Sequence, residues 1–176
     1  MTKRAGIILF SLVTVLHFLS NGQTVKYEFV KNCLIYNETE IIADLTARNF
    51  NFVSKETVNL GDPLINRSDY YTSKKEGSTD TAEVAVFINK RKSSKKSVVF
   101  SFVETDAYAN YNMLESKIAS GLKKEETFHS DKFDAYVTKY SFDDNYYYYL
   151  FKDEYIWYII VSNYKLEEFY FTLKSK

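Results

Sequence analysis

The chain has 176 residues, with 23 basic and 23 acidic side chains, 16 tyrosines, one cysteine and one tryptophan. A chain of this length buries enough apolar surface to fold as one domain without covalent links. Its balanced charge excludes the basic surface that binding to nucleic acid or to an anionic membrane requires. The single cysteine, Cys33, excludes an internal disulfide, and a structural zinc site needs about four Cys or His ligands. We therefore predict no metal and no cofactor.

The first 22 residues have the pattern of a secretory signal peptide. Two basic residues come first, an apolar run covers residues 5–19, and small residues precede Gln23. The run is short for a membrane span, so we predict cleavage before Gln23, with a retained N-terminal anchor as the alternative. The expected product, residues 23–176, is a single exported domain without stable membrane insertion, either periplasmic or extracellular.

The first half of this product begins with a helix signal. Asn37 followed three residues later by Glu40 predicts an N-cap and a capping box. A strand pattern covers residues 50–58, and residues 66–80 are polar and predict a long loop or a weak edge strand. A hairpin pattern follows over residues 82–89 and 97–104. Asn37 also begins a glycosylation sequon.

The second half repeats this order. Four apolar residues at helical spacing predict a helix that ends at Gly121: Tyr108, Tyr111, Leu114 and Ile118. Strand patterns follow over residues 124–128 and 133–142, and the last hairpin covers residues 146–151 and 155–161. The sequence therefore predicts two tandem repeats, over residues 37–104 and 105–163.

Short connections favour antiparallel pairing, so we predict an α+β fold. The expected sheet has roughly seven strands, with two main helices packed on one face and the other face open. Tyrosine suits an open face because its ring is apolar and its tip is polar. The candidate binding surface consists of aromatic residues of the last hairpin: Tyr147, Tyr149, Tyr155 and Trp157.

Two alternatives give these aromatic residues a structural role. Cross-strand aromatic pairs stabilise a sheet by about 0.2–1 kcal/mol each, without any ligand. In the second alternative, the aromatic face is covered by residues 24–36, which precede the first helix, or by a second copy in a homodimer. An exposed Cys33 would allow such a dimer to be linked by a disulfide.

An enzyme would have to use paired carboxylates, such as Asp143 with Asp144 or Glu125 with Glu126. Adjacent residues on a strand point to opposite faces, and turn carboxylates are usually solvated. Acid–base catalysis needs groups that converge in a cleft, and His129 lies in a polar turn pattern. We therefore predict no enzymatic activity, with a hydrolase as the alternative.

The order of elements resembles the β-lactamase inhibitor protein arrangement, in which helix-plus-antiparallel-sheet units occur in tandem. It is also similar to small exported bacterial repeat proteins. The likeness covers element order along residues 23–176, and the chain departs from the inhibitors because Cys33 has no second cysteine to pair with. The resemblance implies an exported, non-enzymatic module that binds a protein. The alternative is a carrier or receptor for a glycan or an apolar small ligand.

Overall fold

The computed structural model describes residues 25–48, 50–59, 65–72, 82–89, 96–103, 107–163, 165 and 166. Three helices lie in these ranges: α1 (Tyr27–Asn32), α2 (Glu38–Ala47) and α3 (Tyr108–Gly121). The same ranges contain eight strands: β1 (Asn51–Asn59), β2 (Ile65–Thr72), β3 (Ala82–Asn89), β4 (Lys96–Val103), β5 (Lys123–Ser130), β6 (Ala135–Asp143), β7 (Tyr146–Asp153) and β8 (Ile156–Ser162). Within the described part of the chain, no helix has the length and apolar composition to cross a membrane.

The eight strands form one antiparallel sheet in the order β1-β2-β3-β4-β8-β7-β6-β5. Strands β1 to β4 form one meander and β5 to β8 form a second one. The two meanders join at the centre, where β4 pairs with β8 and Val98 lies opposite Val161. Helices precede each meander, so a unit of helix and four strands occurs twice along the chain. That the two units arose by duplication stays a prediction.

The prediction of about seven strands and two helices is wrong. The structure has eight strands and three helices in the described ranges. The extra strand is β2, which lies in the polar segment predicted to be a long loop or a weak edge strand. Asp69 of β2 is opposite both Lys55 of β1 and Val86 of β3. Pairing on both sides satisfies the backbone groups of β2, which holds this polar segment extended.

The extra helix, α1, lies in the segment before Asn37 that was assigned no helix. Its residues Phe29 and Val30 are buried under the other helices and the sheet. At six residues, α1 is too short to be stable alone, so packing decides its formation. The edge-to-face contact of Phe29 with Phe100 of β4, 5.9 Å between ring centroids, attaches α1 to the sheet.

The capping box at the start of α2 is confirmed. The Asn37 side chain accepts from the backbone N–H of Glu40 at 3.0 Å, and the Glu40 carboxylate accepts from the backbone N–H of Asn37 at 2.7 Å. The spacing on α3 also predicted its buried side correctly for Tyr111, Leu114 and Ile118. The buried apolar residues of all three helices belong to one cluster on the same face of the sheet.

The face of the sheet away from the helices is not open, contrary to the prediction. Alternate residues of the central strands form a second buried cluster there, which includes Val99, Val137, Tyr149, Phe151, Tyr158 and Ile160. Tyr149 is 1% exposed and Tyr158 is 5% exposed. The rings of Phe133, Phe151 and Tyr158 stack in a row with successive centroid distances of 5.0 Å. This second face is therefore core in the described structure.

Candidate functional site

An aromatic strip crosses the helix side of the sheet near the β5–β6 and β7–β8 turns. We define it as His129, Tyr136, Lys152 and Trp157 of strands β5 to β8, together with Tyr108 of α3. His129 is opposite Tyr136, and Lys152 is opposite Trp157. The pairing of β6 with β7 places Tyr136 and Lys152 on the same face of neighbouring strands. The strip residues of the sheet therefore lie on one face of four neighbouring strands.

Ring contacts fix one end of the strip. The Trp157 ring lies 4.7 Å from the ring of Tyr111 and 5.4 Å from that of Tyr108, measured between centroids. Tyr108 also stacks on Tyr111, one turn further along α3, at 6.4 Å. The Lys152 ammonium sits 5.1 Å from the Trp157 ring centroid, a cation–π geometry. The half-buried Trp157 is thus held on two sides, and its indole N–H has no acceptor among the described residues.

The other end of the strip is open to water. Tyr136 is 74% exposed, and its ring meets the His129 ring edge to face at 5.3 Å. The two ring nitrogens of His129 lie 3.4 Å from an Asp131 carboxylate oxygen and 3.5 Å from one of Asp134. These contacts orient the imidazole without burying it. His129 is therefore an exposed side chain whose ring orientation is set by these contacts.

The structure does not bring the four candidate binding residues onto one surface. Tyr147 and Tyr149 point to the face away from the helices, where Tyr149 is buried and Tyr147 is partly buried. Trp157 points to the helix side, where it contacts Tyr111, whereas Tyr149 is opposite Ile160 in the cluster on the other face. Tyr155 lies in the β7–β8 turn and is 72% exposed. Of the four, only Trp157 belongs to the strip, and Tyr155 lies in the adjoining turn.

Sequence reasoning missed Tyr108, Tyr136 and Lys152 as surface residues. Tyr108 fitted the buried stripe of its helix, but it is the first helical residue and reaches past the core. Tyr136 had no local signal, because its neighbours in the strip are distant in sequence. Only the strand order places it beside His129 and Lys152.

The proposed carboxylate pair of Glu125 and Glu126 has a different geometry from the one expected. A β-bulge between Lys124 and Glu126 turns both carboxylates toward one ammonium. Lys139 Nζ is 3.5 Å from Glu125 and 3.7 Å from Glu126. The Ser141 hydroxyl donates to Glu125 at 2.8 Å, and this bond, with Lys123 and Lys139 nearby, holds the pKa of Glu125 below its ordinary value. An ionised, lysine-paired carboxylate is a poor general acid.

The second pair, Asp143 and Asp144, is exposed at the β6–β7 turn. Asp143 uses a carboxylate oxygen to accept from the backbone N–H of Asn145 at 2.8 Å. The backbone carbonyl of Asp144 accepts from the Tyr147 hydroxyl at 2.8 Å. These bonds close the turn. Within the described ranges, no three His, Cys, Asp or Glu side chains are grouped so as to hold a metal ion.

Cys33 is fully buried beneath the helices, and burial raises the pKa of its thiol well above the ordinary value. The neighbouring Lys96 is also buried, and its ammonium donates to the backbone carbonyl of Tyr36. Burial lowers the pKa of Lys96. A thiol in this position is sealed from oxidants and from other chains, so the disulfide-linked dimer considered from the sequence is not supported.

The strip combines aromatic rings, tyrosine hydroxyl groups and one ammonium group. These groups can stack on a ligand, form hydrogen bonds with it and interact with its charges. Neither a protein-family model, nor a curated protein, nor a solved structure matches this chain. The likeness to the β-lactamase inhibitor arrangement therefore stays a prediction about the order of elements.

Proposed function

We propose that this chain is an exported, non-enzymatic binding module and that the aromatic strip contacts a protein partner. The observation that carries the proposal is that Tyr136, Lys152 and Trp157 lie on one face of the neighbouring strands β6, β7 and β8, with Tyr108 in contact with Trp157. Tyrosine and tryptophan dominate the energetics of protein interfaces, because each buries a large ring with few rotatable bonds. An export signal would bring this surface to partners outside the cytoplasm.

Rigidity supports this assignment. The rings of Trp157 and Tyr108 are fixed by Tyr111, which is itself buried between α3 and the sheet. Side chains that are already ordered lose little conformational entropy when a partner binds. The strip lies on strands and a helix, so its geometry does not depend on a loop.

A glycan ligand is the second candidate. The observation that favours it is the large exposure of two tyrosine side chains, Tyr136 and Tyr155, at the same end of the sheet. An aromatic ring that is open on its face can stack on a sugar ring. A glycan would need only one or two such rings, whereas a protein partner would use the full strip.

The test compares two exposed aromatic residues on the same strand. Tyr136→Ala alters the strip, and Phe142→Ala alters an exposed ring at the opposite end of β6. Residues 23–176 carrying each change would be used to isolate partners from the exported fraction of the source cells. Affinity for the partner identified with the unchanged chain would then be measured by titration. We expect Tyr136→Ala and Tyr108→Ala to weaken binding about tenfold or more, which is about 1.4 kcal/mol.

Phe142→Ala is expected to bind the partner as the unchanged chain does. Equal losses in Tyr136→Ala and Phe142→Ala would reject the strip as the contact surface. A glycan array read with the same proteins separates the second candidate. Binding to glycans that is lost in Tyr136→Ala but kept in Tyr108→Ala would replace the protein partner by a sugar.

A further inference from the structure

Four carboxylates border the open end of the aromatic strip. Asp131 and Asp134 lie in the β5–β6 turn, and their side chains are almost fully exposed. Asp153 is the last residue of β7, and the exposed Glu154 follows it in the β7–β8 turn. We call these four residues the acidic rim. The rim is a feature of the surface that the strip alone does not describe.

The two turns that form the rim lie side by side. Strands β6 and β7 are neighbours, and Thr138 is opposite Leu150, so the start of β6 and the end of β7 lie at the same end of the sheet. Phe133 of the β5–β6 turn stacks on Phe151, close to the end of β7, with the ring centroids 5.0 Å apart. The rim therefore forms one surface with the exposed end of the strip.

The positive groups near the rim already have contacts within the chain. Lys152 places its ammonium 5.1 Å from the Trp157 ring centroid. Lys132 is partly buried, and burial lowers the pKa of its ammonium. His129 lies between the two aspartates of the β5–β6 turn, but a neutral imidazole has only one N–H to donate. While His129 is neutral, at least one of these aspartates therefore accepts no hydrogen bond from it.

The second face of the sheet shows which group completes such a set of side chains. There the Lys139 ammonium lies 3.5 Å from a carboxylate oxygen of Glu125 and 3.7 Å from one of Glu126. The same ammonium is 4.9 Å from the centroid of the Tyr147 ring. Two carboxylates and a tyrosine ring thus hold one cation. At the rim, the exposed Tyr136 side chain and the two aspartates of the β5–β6 turn form the same combination around one imidazole.

We propose that the partner of the strip is a protein with a basic contact surface, whose arginine side chains lie between the acidic rim and the exposed side chains of Tyr136 and Tyr155. This inference rests on the function proposed above and names the chemistry of that partner. Arginine fits both features, because its planar guanidinium stacks on an aromatic ring and pairs with a carboxylate. Opposite charges at the edge of an interface speed association and disfavour acidic partners.

Association and dissociation rates of the partner test the proposal. The rim variant is Asp131→Asn with Asp134→Asn, and asparagine tolerates the left-handed backbone of Asp134, where φ is 49°. Its matched control is Asp143→Asn with Asp144→Asn, which removes the same charge from the β6–β7 turn at the opposite end of the sheet. We expect the rim variant to associate more slowly by about threefold or more, with little change in dissociation. The control should match the unchanged chain.

Salt gives a second readout of the same contact. An increase in ionic strength from about 0.05 M to about 0.5 M screens exposed charges, so it should slow association of the unchanged chain and the control more than that of the rim variant. Equal rates in the rim variant and the control would overturn the proposal, and so would faster association of the rim variant. The strip would still be the contact surface if Tyr136→Ala alone weakened binding. If Tyr136→Ala binds normally as well, the proposed function itself fails.

A defined peptide gives a test that does not require the partner. The probe is the acetylated, amidated peptide Gly-Arg-Gly-Arg-Gly, compared with a peptide in which citrulline, a neutral analogue of the same shape, replaces both arginines. We expect the arginine peptide at millimolar concentration to shift the ring NMR signals of Tyr136 and Tyr155 and to leave those of Phe142, at the opposite end of β6, unchanged. The rim variant should lose these shifts. Equal shifts with the citrulline peptide, or none with the arginine peptide, would overturn the proposal.

Discussion

Asn110 holds Val25 by both backbone groups of that residue. The Asn110 carbonyl oxygen accepts from the Val25 N–H at 2.9 Å, and the Asn110 amide donates to the Val25 carbonyl at 3.0 Å. The two residues are 85 positions apart, and Val25 is fully buried. One side chain on the second helical unit thus secures the start of the first unit.

Replacement of Asn110 is expected to release this start. In Asn110→Ala two buried backbone groups lose their partners, so we expect the free energy of unfolding to fall by about 1–3 kcal/mol. Asn112→Ala removes an exposed asparagine from the same helix and should change it by less than about 0.5 kcal/mol. Urea unfolding of both variants measures the difference. Equal losses would show that helix α3, and not the contact with Val25, was affected.

Local signals predicted part of this fold correctly. The capping box of Asn37 and Glu40 depends on residues three positions apart, so it is visible in the sequence. Strand β2 was predicted only as a long loop or a weak edge strand, because its place inside the sheet depends on pairing with β1 and β3 on either side. The bulge that turns Glu125 and Glu126 toward Lys139 was missed for the same reason, since it exists only in the pairing with β6.

The candidate site was only partly visible in the sequence. Alternation along β8 placed Trp157 correctly on one face with Ile159 and Val161, but alternation alone does not say which face the helices cover. Tyr149 was expected at an open surface and is buried, because the second face is core as well. Tyr136 joined the site through the order of the strands, which no local pattern specifies.

The cap on α2 gives a second prediction. Asn37→Ala removes the acceptor for the Glu40 N–H and should lower the free energy of unfolding by about 1 kcal/mol. Thr39→Ala is the matched control, because it removes the same Asn37-Glu38-Thr39 sequon and leaves the cap in place. It should be near neutral. Equal destabilisation of the two variants would assign the effect to a lost glycan.

Stability should fall at alkaline pH. Burial raises the pKa of Tyr111 and Tyr148 well above the ordinary value of 10.0. Above that value the unfolded chain loses these protons while the folded chain keeps them, so the unfolded state binds fewer protons and stability decreases as the pH rises. Above pH 10.0, each of these tyrosines should lower the free energy of unfolding by about 1.4 kcal/mol per pH unit. Below that pH the stabilisation by each tyrosine is fully present.

Other groups also shape this decline, among them Tyr27 and Tyr140, whose pKa is likewise raised by burial. The raised pKa of Cys33 acts in the same direction from its ordinary value of 9.0 upward, whereas the lowered pKa of Lys96 acts in the opposite direction below 10.5. Urea unfolding between about pH 8 and about pH 11 measures the slope. Tyr111→Phe should flatten it above pH 10, and Cys33→Ala should flatten it from pH 9. An unchanged slope in Tyr111→Phe would contradict the assignment.

The β7–β8 turn beside the strip contains a strained residue. Glu154 has a φ angle of 48°, a left-handed conformation that costs a residue with a side chain about 1–2 kcal/mol. Glu154→Gly relieves the strain but adds entropy to the unfolded chain, so we expect a net gain of about 0.5–1 kcal/mol in the free energy of unfolding. Glu154→Ala keeps the Cβ atom and the strain, and it should bring no such gain. If both variants gain equally in urea unfolding, the relief comes from removing the carboxylate next to Asp153, and the backbone is not strained.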